Sequence, residues 1–216
     1  MTGRSRVGTE ASNPSFGRAY ARTGPKMDAR GAAAHRRRLV AAASGAVVEI
    51  GAGYGATFPF YPPAVSRVLA LEPDPTLRGL ALAAAAAAAV SVTVLDGVAE
   101  SLPAADASVD TVVTSLVLCS VAEPSAALAA AVRVLKPGGQ LLFYEHVRSE
   151  HRVLAAVEDL LTPLWSRLAG GCHPNRDTAA IIERAGLTIR SLERFGFSVL
   201  PGNPPLAHVL GVAVKA

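Results

Sequence analysis

The sequence predicts an α/β protein with a doubly wound seven-stranded sheet, mostly parallel and finished by an antiparallel pair at one edge. Short apolar runs alternate with helix-forming runs from residue 46 to residue 185, as strand–helix–strand crossovers do. The runs Ala46–Ile50 and Gln140–Tyr144 read as strands covered on both faces. Two late runs, Leu187–Arg194 and His208–Val214, lie beyond the last predicted helix and give the antiparallel edge pair.

Each element has its own local signal. Residues 1–15 carry Gly, Ser, Thr, Asn and Pro without periodicity, which predicts a disordered basic leader. A single domain is expected over residues 16–216, with N-terminal cap helices in 16–45. Helix formers dominate from Met27 to Ala43, and Ser44-Gly45 stops the run. Strand one is Ala46–Ile50 and strand two Arg67–Leu71. Thr76–Ala89 is an alanine-rich helix, and alanine is the best helix former. Val90–Leu95 and Thr111–Ser115 are the third and fourth strands. A helix over Pro124–Leu135 is closed by Lys136-Pro137-Gly138-Gly139 before the fifth strand. A substrate-side insertion is expected over 148–176, with a helix from His151 to Leu168. Asp177–Ala185 is a last helix, and Gly186 stops it.

Composition excludes several classes. At 216 residues the chain can bury a sizeable core, and half of its residues are hydrophobic. The apolar stretch 79–92 is too short to span a bilayer, so no stable membrane insertion is expected. No apolar signal core is visible near Arg4 and Arg6, and Cys119 and Cys172 are the only cysteines, which predicts a cytoplasmic protein without a disulfide framework. The net charge of +4 is uneven. Residues 1–40 hold nine Lys or Arg against Glu10 and Asp28, whereas residues 41–216 hold twelve against fifteen acids. Arg36, Arg37 and Arg38 are expected mostly to face solvent. No aromatic residues interleave with them, so no nucleic-acid partner is expected. The sequence leaves the oligomeric state open.

The densest chemical signal is Val47-Val48-Glu49-Ile50-Gly51-Ala52-Gly53-Tyr54-Gly55, with Glu72 twenty-one residues beyond Gly51. Glycines at a strand-to-helix turn let a ligand approach backbone N–H groups. A carboxylate at the tip of the next strand is placed to accept from a ribose diol. In the dinucleotide fingerprint the third glycine comes three positions after the second, whereas Gly55 comes two after Gly53. Further along come Asp96-Gly97-Val98-Ala99-Glu100-Ser101-Leu102-Pro103, Asp106–Asp110, Thr114-Ser115-Leu116 and Leu135–Gly139.

Together these motifs resemble the class I S-adenosylmethionine-dependent methyltransferases, whose fold is Rossmann-like. The resemblance implies S-adenosylmethionine as cofactor and S-adenosylhomocysteine as product. It implies that Gly51, Ala52 and Gly53 hold the amino-acid and ribose part, with Glu49 opening the loop. It gives Glu72, followed by Pro73, the ribose, and Val98 and Ala99 the adenine. Ser115 and Leu116 fall near the methyl group, and Tyr20, on an N-terminal lid, near the carboxylate. Val98 stands where the family often has an aspartate, so the adenine contact falls to backbone or to Glu100.

A narrower resemblance lies in the second half. Leu116–Val121, Tyr144-Glu145-His146-Val147, Gly170–Thr178 and Ala213-Val214-Lys215 resemble the methyltransferase-like group that includes the alkyl thiol S-methyltransferases. A small, fairly apolar substrate is implied, with thiol S-methylation as the leading reaction. O- or N-methylation of a lipid, quinone or natural product is the alternative, and a cyclase or scaffold using the cofactor without methyl transfer is another. His146 and His173 are the candidate acid/base residues, since histidine titrates near neutrality. Asp177 is the candidate to orient one of them, or to cap a helix. Cys172-His173 as a pair does not make a metal site, and no metal is expected. Cys119 reads as a small buried residue. Leu161, Trp165 and Leu168 share a helical face that reads as core, and Leu161, Leu164 and Trp165 are also candidate walls of a substrate chamber.

Overall fold

The computed structural model describes residues 13–198 and 205–216. Seven strands form one sheet in the order β3-β2-β1-β4-β5-β7-β6. Strands β1 (Gly45–Ile50), β2 (Val65–Leu71), β3 (Val92–Leu95), β4 (Val109–Ser115) and β5 (Leu135–His146) run parallel. β7 (Leu206–Lys215) lies antiparallel between β5 and β6 (Leu187–Phe197). The order reverses between β1 and β4, which puts the crevice beyond the carboxyl ends of those two strands.

Alternate side chains of β1 serve two cores. Val48 and Ile50 pack with Leu128, Ala131 and Val134 of α4 (Pro124–Val134) and Ile182 of α6 (Thr178–Arg184). Val47, on the other face, packs with Leu39 and Val40 of α2 (Ala33–Val40), with Phe58 and Tyr61, and with Ala81 of α3 (Pro75–Ala86). Both layers are apolar, which is why the central strands read as nearly unbroken hydrophobic runs.

The helical entry departs from the sequence reading. Helix α1 spans Pro14–Met27, capped by the Asn13 side chain on the Phe16 N–H, so residues 14 and 15 are helical. The rest of the expected leader, residues 1–12, lies outside the described residues. Met27–Ala43 is not one helix. A π-helical stretch, Asp28–Ala32, links α1 to α2, with Gly31 at φ +123° as the kink. Only Gly tolerates that angle cheaply. Elsewhere the differences are at boundaries. α3 stops at Ala86, β3 starts at Val92, and β6 and β7 run longer than expected. The Lys136–Gly139 segment is absorbed into β5 as an irregularity before the ladder resumes at Gln140.

Helix α5 (Arg152–Leu168) overturns another expectation. Ala155 and Thr162 are its buried residues, whereas Leu160, Leu161, Leu164, Trp165 and Leu168 are exposed, Leu160 at 78%. The face that read as core is open. Among the described residues no helix is long and apolar enough to cross a membrane.

One buried base makes the fold pH-dependent. His208 on β7 is 2% exposed, stacked on Tyr144 and Phe195, and its Nδ1 donates to the Leu206 carbonyl at 2.8 Å. Burial, reinforced by neighbouring His146, lowers its pKa from 6.5 to about 3. The unfolded chain therefore takes up this proton at higher pH than the folded one does. Its contribution is complete above about pH 6.5 and is lost as the pH falls toward 3. By pH 4 the loss should be about 3 kcal/mol. Urea midpoints at pH 7 and pH 4 should fall further apart for the natural chain than for His208→Phe, and equal differences would remove this residue from the explanation.

Candidate functional site

Three buried carboxylates at strand ends organise the crevice. Glu72 at the end of β2 is 5% exposed. One of its oxygens accepts from the Gly53 N–H at 2.8 Å and the other from the Asp74 N–H at 2.9 Å. Burial raises its pKa, and the two backbone donors oppose that shift. Its carboxylate thus touches the glycine loop itself. In that loop Gly51, Gly53 and Gly55 all take positive φ, and Ala52 hangs from the Leu71 carbonyl. A side chain on Gly51 would collide with Val117 at 2.6 Å, so the tight approach of β1 and β4 loops requires glycine there.

Glu49 sits behind the loop rather than in the crevice. Its carboxylate accepts from Thr57 Oγ1 at 2.6 Å and from the Tyr61 hydroxyl at 2.8 Å. It is 1% exposed, and burial raises its pKa to about 7. Two protein hydroxyls thus take up part of the carboxylate's accepting capacity, and Glu49 ties the segment after the glycine loop to β1.

Glu145 at the end of β5 is fully buried and accepts from the Val117 and Cys119 N–H groups, each at 3.1 Å. It holds the turn after β4, where Leu116 takes φ +62°. A left-handed leucine is costly and marks a turn fixed by its surroundings. Beside it, Thr114 Oγ1 and Ser115 Oγ are buried without a hydrogen-bond partner among the described residues. Orphaned hydroxyls at a crevice fit a polar ligand there. With the left-handed glycine loop and Glu72, they fit the amino-acid and ribose parts of S-adenosylmethionine.

Helix α1 packs against the glycine loop and the turn before α6. Gly17 lies against the Asp74 carboxylate and Gly24 against Tyr54, and Phe16 lies over Gly170. Tyr20 stacks on Phe16 and stands beside Gly53, where an added Cβ would be 3.6 Å from its ring. The helix is held by Arg36, which is 2% exposed, pairs with Asp28 and donates to the Tyr20 hydroxyl at 3.0 Å. Tyr54 donates to the same Asp28. Arg36 therefore corrects the expectation of a solvated arginine run. Arg37 lies over the Phe60 ring and Arg38 pairs with Glu193.

The adenine-side residues are less defined. Val98 is half-buried, Ala99 is buried in the core, and Pro73 gives its carbonyl to Arg78. Glu100 is exposed.

The expected catalytic residues separate. Asp177 is exposed and caps α6 on the Ala180 N–H at 3.1 Å, with no bond to either histidine among the described residues. His173 places Nδ1 2.6 Å from the Gly171 carbonyl. A carbonyl only accepts, so Nδ1 carries the proton and Nε2 is the basic nitrogen. His146 directs Nδ1 at two sulfurs, 3.4 Å from Cys172 Sγ and 3.6 Å from Cys119 Sγ. Those sulfurs are 3.8 Å apart. The Cys172 thiol is pulled down, first by Cys119 and then by His146, and Cys119 is pushed up by the same contact and by burial. Sequence reasoning missed this trio because it paired Cys172 with its neighbour His173. The signal was the recurrence of Cys and His at the ends of β4 and β5 and in the turn before α6.

The chain is similar to known methyltransferases. Residues 48–143 match the family described as methyltransferase domain. The chain is 36% identical to the thiol S-methyltransferase TMT1B of Rattus norvegicus over 78% of its own length and 70% of that protein. It is 34% identical to the thiol S-methyltransferase TMT1A of Homo sapiens, again over 78% and 70%. Its fold is that of a solved S-adenosylmethionine-dependent methyltransferase, described as a possible histamine N-methyltransferase, from Thermotoga maritima. The TM-score is 0.71 at 23% identity, over 94% of this chain and 98% of that one.

The buried carboxylates give two expectations. Glu145→Ala leaves two buried N–H groups unpaired and should destabilise the protein by about 2–5 kcal/mol in urea unfolding. For Glu49 the folded pKa, about 7, lies above the unfolded 4.5, so the folded state holds the proton longer and stability falls as pH rises from 4.5 to 7. Glu49→Gln should remove that part of the slope, and an unchanged slope would show that another group sets it.

Proposed function

The chain belongs to the family of the thiol S-methyltransferases, and on that basis we propose that it methylates the sulfur of small, fairly apolar thiols. It is an S-adenosylmethionine-dependent methyltransferase. The observation that carries the substrate proposal is the identity to TMT1B over most of the chain, strengthened by a histidine-bearing turn at the crevice mouth.

The cofactor supplies a methyl group already activated on a sulfonium. The protein's task is then to bind, orient and exclude water. In this reading the Glu72 carboxylate, positioned by the Gly53 and Asp74 amides, uses its remaining lone pairs for the ribose hydroxyls. Gly51, Ala52 and Gly53 present backbone to the amino-acid part, with Ser115 Oγ as a further donor. Residues 16–45 act as the cap, with Tyr20 roofing the glycine loop, and 148–176 form the substrate side.

A thiol must lose its proton before it can attack, and free thiols are mostly protonated at neutral pH. His173 Nε2 is the proposed acceptor, since its Nδ1–H is committed to Gly171. Asp177 stays a helix cap in this scheme. A cytoplasmic location is proposed, and the two free cysteines accord with it.

Incubation with labelled S-adenosylmethionine and a panel of alkyl thiols, phenols, amines and lipids, with products identified by mass, tests the reading. Methyl thioethers should dominate, and label on oxygen or nitrogen alone would overturn it. Glu72→Ala should weaken S-adenosylhomocysteine binding by about 1–3 kcal/mol in calorimetry. His173→Ala should slow thiol methylation about 10²-fold near pH 7, with partial recovery at higher pH as the thiol ionises by itself. An unchanged rate at pH 7 would exclude His173 as the base.

A further inference from the structure

The trio Cys119, His146 and Cys172 has the donor set and dimensions of a metal site. Its three ligand atoms come from the turn after β4, the end of β5 and the turn between α5 and α6, and all lie within 4.8 Å of one another. The separations are 3.8 Å between the sulfurs, and 3.4 and 3.6 Å from sulfur to Nδ1. A tetrahedral zinc ion with Zn–S of about 2.3 Å and Zn–N of about 2.1 Å requires about 3.8 Å between sulfurs and about 3.6 Å from sulfur to nitrogen.

The triangle is built, not incidental. Glu145 holds the Cys119 amide, and the His173 N–H donates to the Cys119 carbonyl at 2.7 Å, tying the two turns together. Gly171, at φ +85°, comes so close to the Ser120 carbonyl that an added Cβ would be 2.6 Å from it. Both cysteines are buried, at 1% and 5% exposure, while His146 is partly open. Thiolate and imidazole are the donors that zinc prefers among the side chains, and three protein ligands leave a fourth position free for a substrate.

We propose that Cys119, His146 and Cys172 bind one zinc ion whose fourth position takes the sulfur of the substrate thiol. The second half rests on the thiol S-methylation reading. The substrate S–H gives its proton to His173 Nε2 or water as sulfur joins the metal. The sulfur lone pair then forms the new S–CH₃ bond while the sulfonium–methyl bond breaks, and that electron pair stays on the sulfur of S-adenosylhomocysteine. The thioether product is a weaker ligand than the thiolate and leaves. Zinc keeps its oxidation state throughout, and no oxidant or reductant is consumed.

The test starts from the full chain, reduced and stripped with a chelator, then titrated with Zn²⁺ against a chromophoric competitor. One ion per chain should bind, and Co²⁺ in its place should give the intense near-ultraviolet band of cobalt–thiolate bonding. Cys119→Ser, Cys172→Ser and His146→Ala should each weaken Zn²⁺ binding at least about 100-fold, while S-adenosylhomocysteine binding, unchanged, reports that the variants fold. Two of the three variants folding is enough. Absence of stoichiometric Zn²⁺, or affinity unchanged in the folded variants, overturns the site. Zinc-free protein should methylate alkyl thiols at least about tenfold more slowly, with recovery on adding Zn²⁺. Thiol methylation at full rate without zinc overturns the role of the metal and leaves the thiol reading standing. One bound zinc with no thiol methylated under any condition supports the site and sinks the thiol reading instead.

Discussion

The structure depends on carboxylates buried near the carboxyl ends of strands and satisfied by donors in the loops around them. Glu72 reaches from β2 to the loop after β1, and Glu145 reaches from β5 to the turn after β4. Glu49 holds Thr57 and Tyr61 further along its own chain. A buried carboxylate without donors is expensive, so each acid is stable only if its loop stays in place. The converse holds as well, because the Gly53, Asp74, Val117 and Cys119 N–H groups donate to Glu72 and Glu145, and the Thr57 and Tyr61 hydroxyls to Glu49. This mutual requirement turns three separate loops into one rigid crevice floor.

The roof depends on a second buried charge. Arg36 enters the interior from α2 and meets Asp28 and Tyr20, so the cap and the glycine loop share one polar cluster. A single long side chain links the cap's position to the ring that stands over Gly53. The kink at Gly31 is what brings α1 back across the sheet end instead of letting it continue along the axis of α2. With Phe16 over Gly170, the same helix touches the turn that carries Cys172 and His173. One helix therefore contacts both the glycine loop and the turn before α6.

The far edge of the molecule supplies the remaining constraint. β7 inserts between β5 and β6, and this places His208 beside His146 at 4.5 Å between ring centroids. Packing against another ring limits how His146 can turn, which holds its Nδ1 toward the sulfurs. On helix α5 most apolar side chains stay exposed, Leu160, Leu161, Leu164, Trp165 and Leu168 among them.

The strand order came from the structure, whereas the mixed seven-stranded sheet with its antiparallel edge pair, and the glycine turn with its strand-tip acid, were legible in the sequence. Those features are written in local signals: apolar runs, glycines at a turn, an acid at a strand tip. It could place Glu72, Gly51 and Gly53 because their spacing along the chain is the constraint itself. Only the folded chain shows that Arg36 and Glu49 are buried, and it selects the helix-cap reading of Asp177 over the orienting one. It alone made Cys119, His146 and Cys172 neighbours, across 53 residues between the two sulfurs. No periodicity records such meetings, because they arise where separate loops converge at the end of a sheet. Their geometry is set by strand order and by the buried acids that hold those loops.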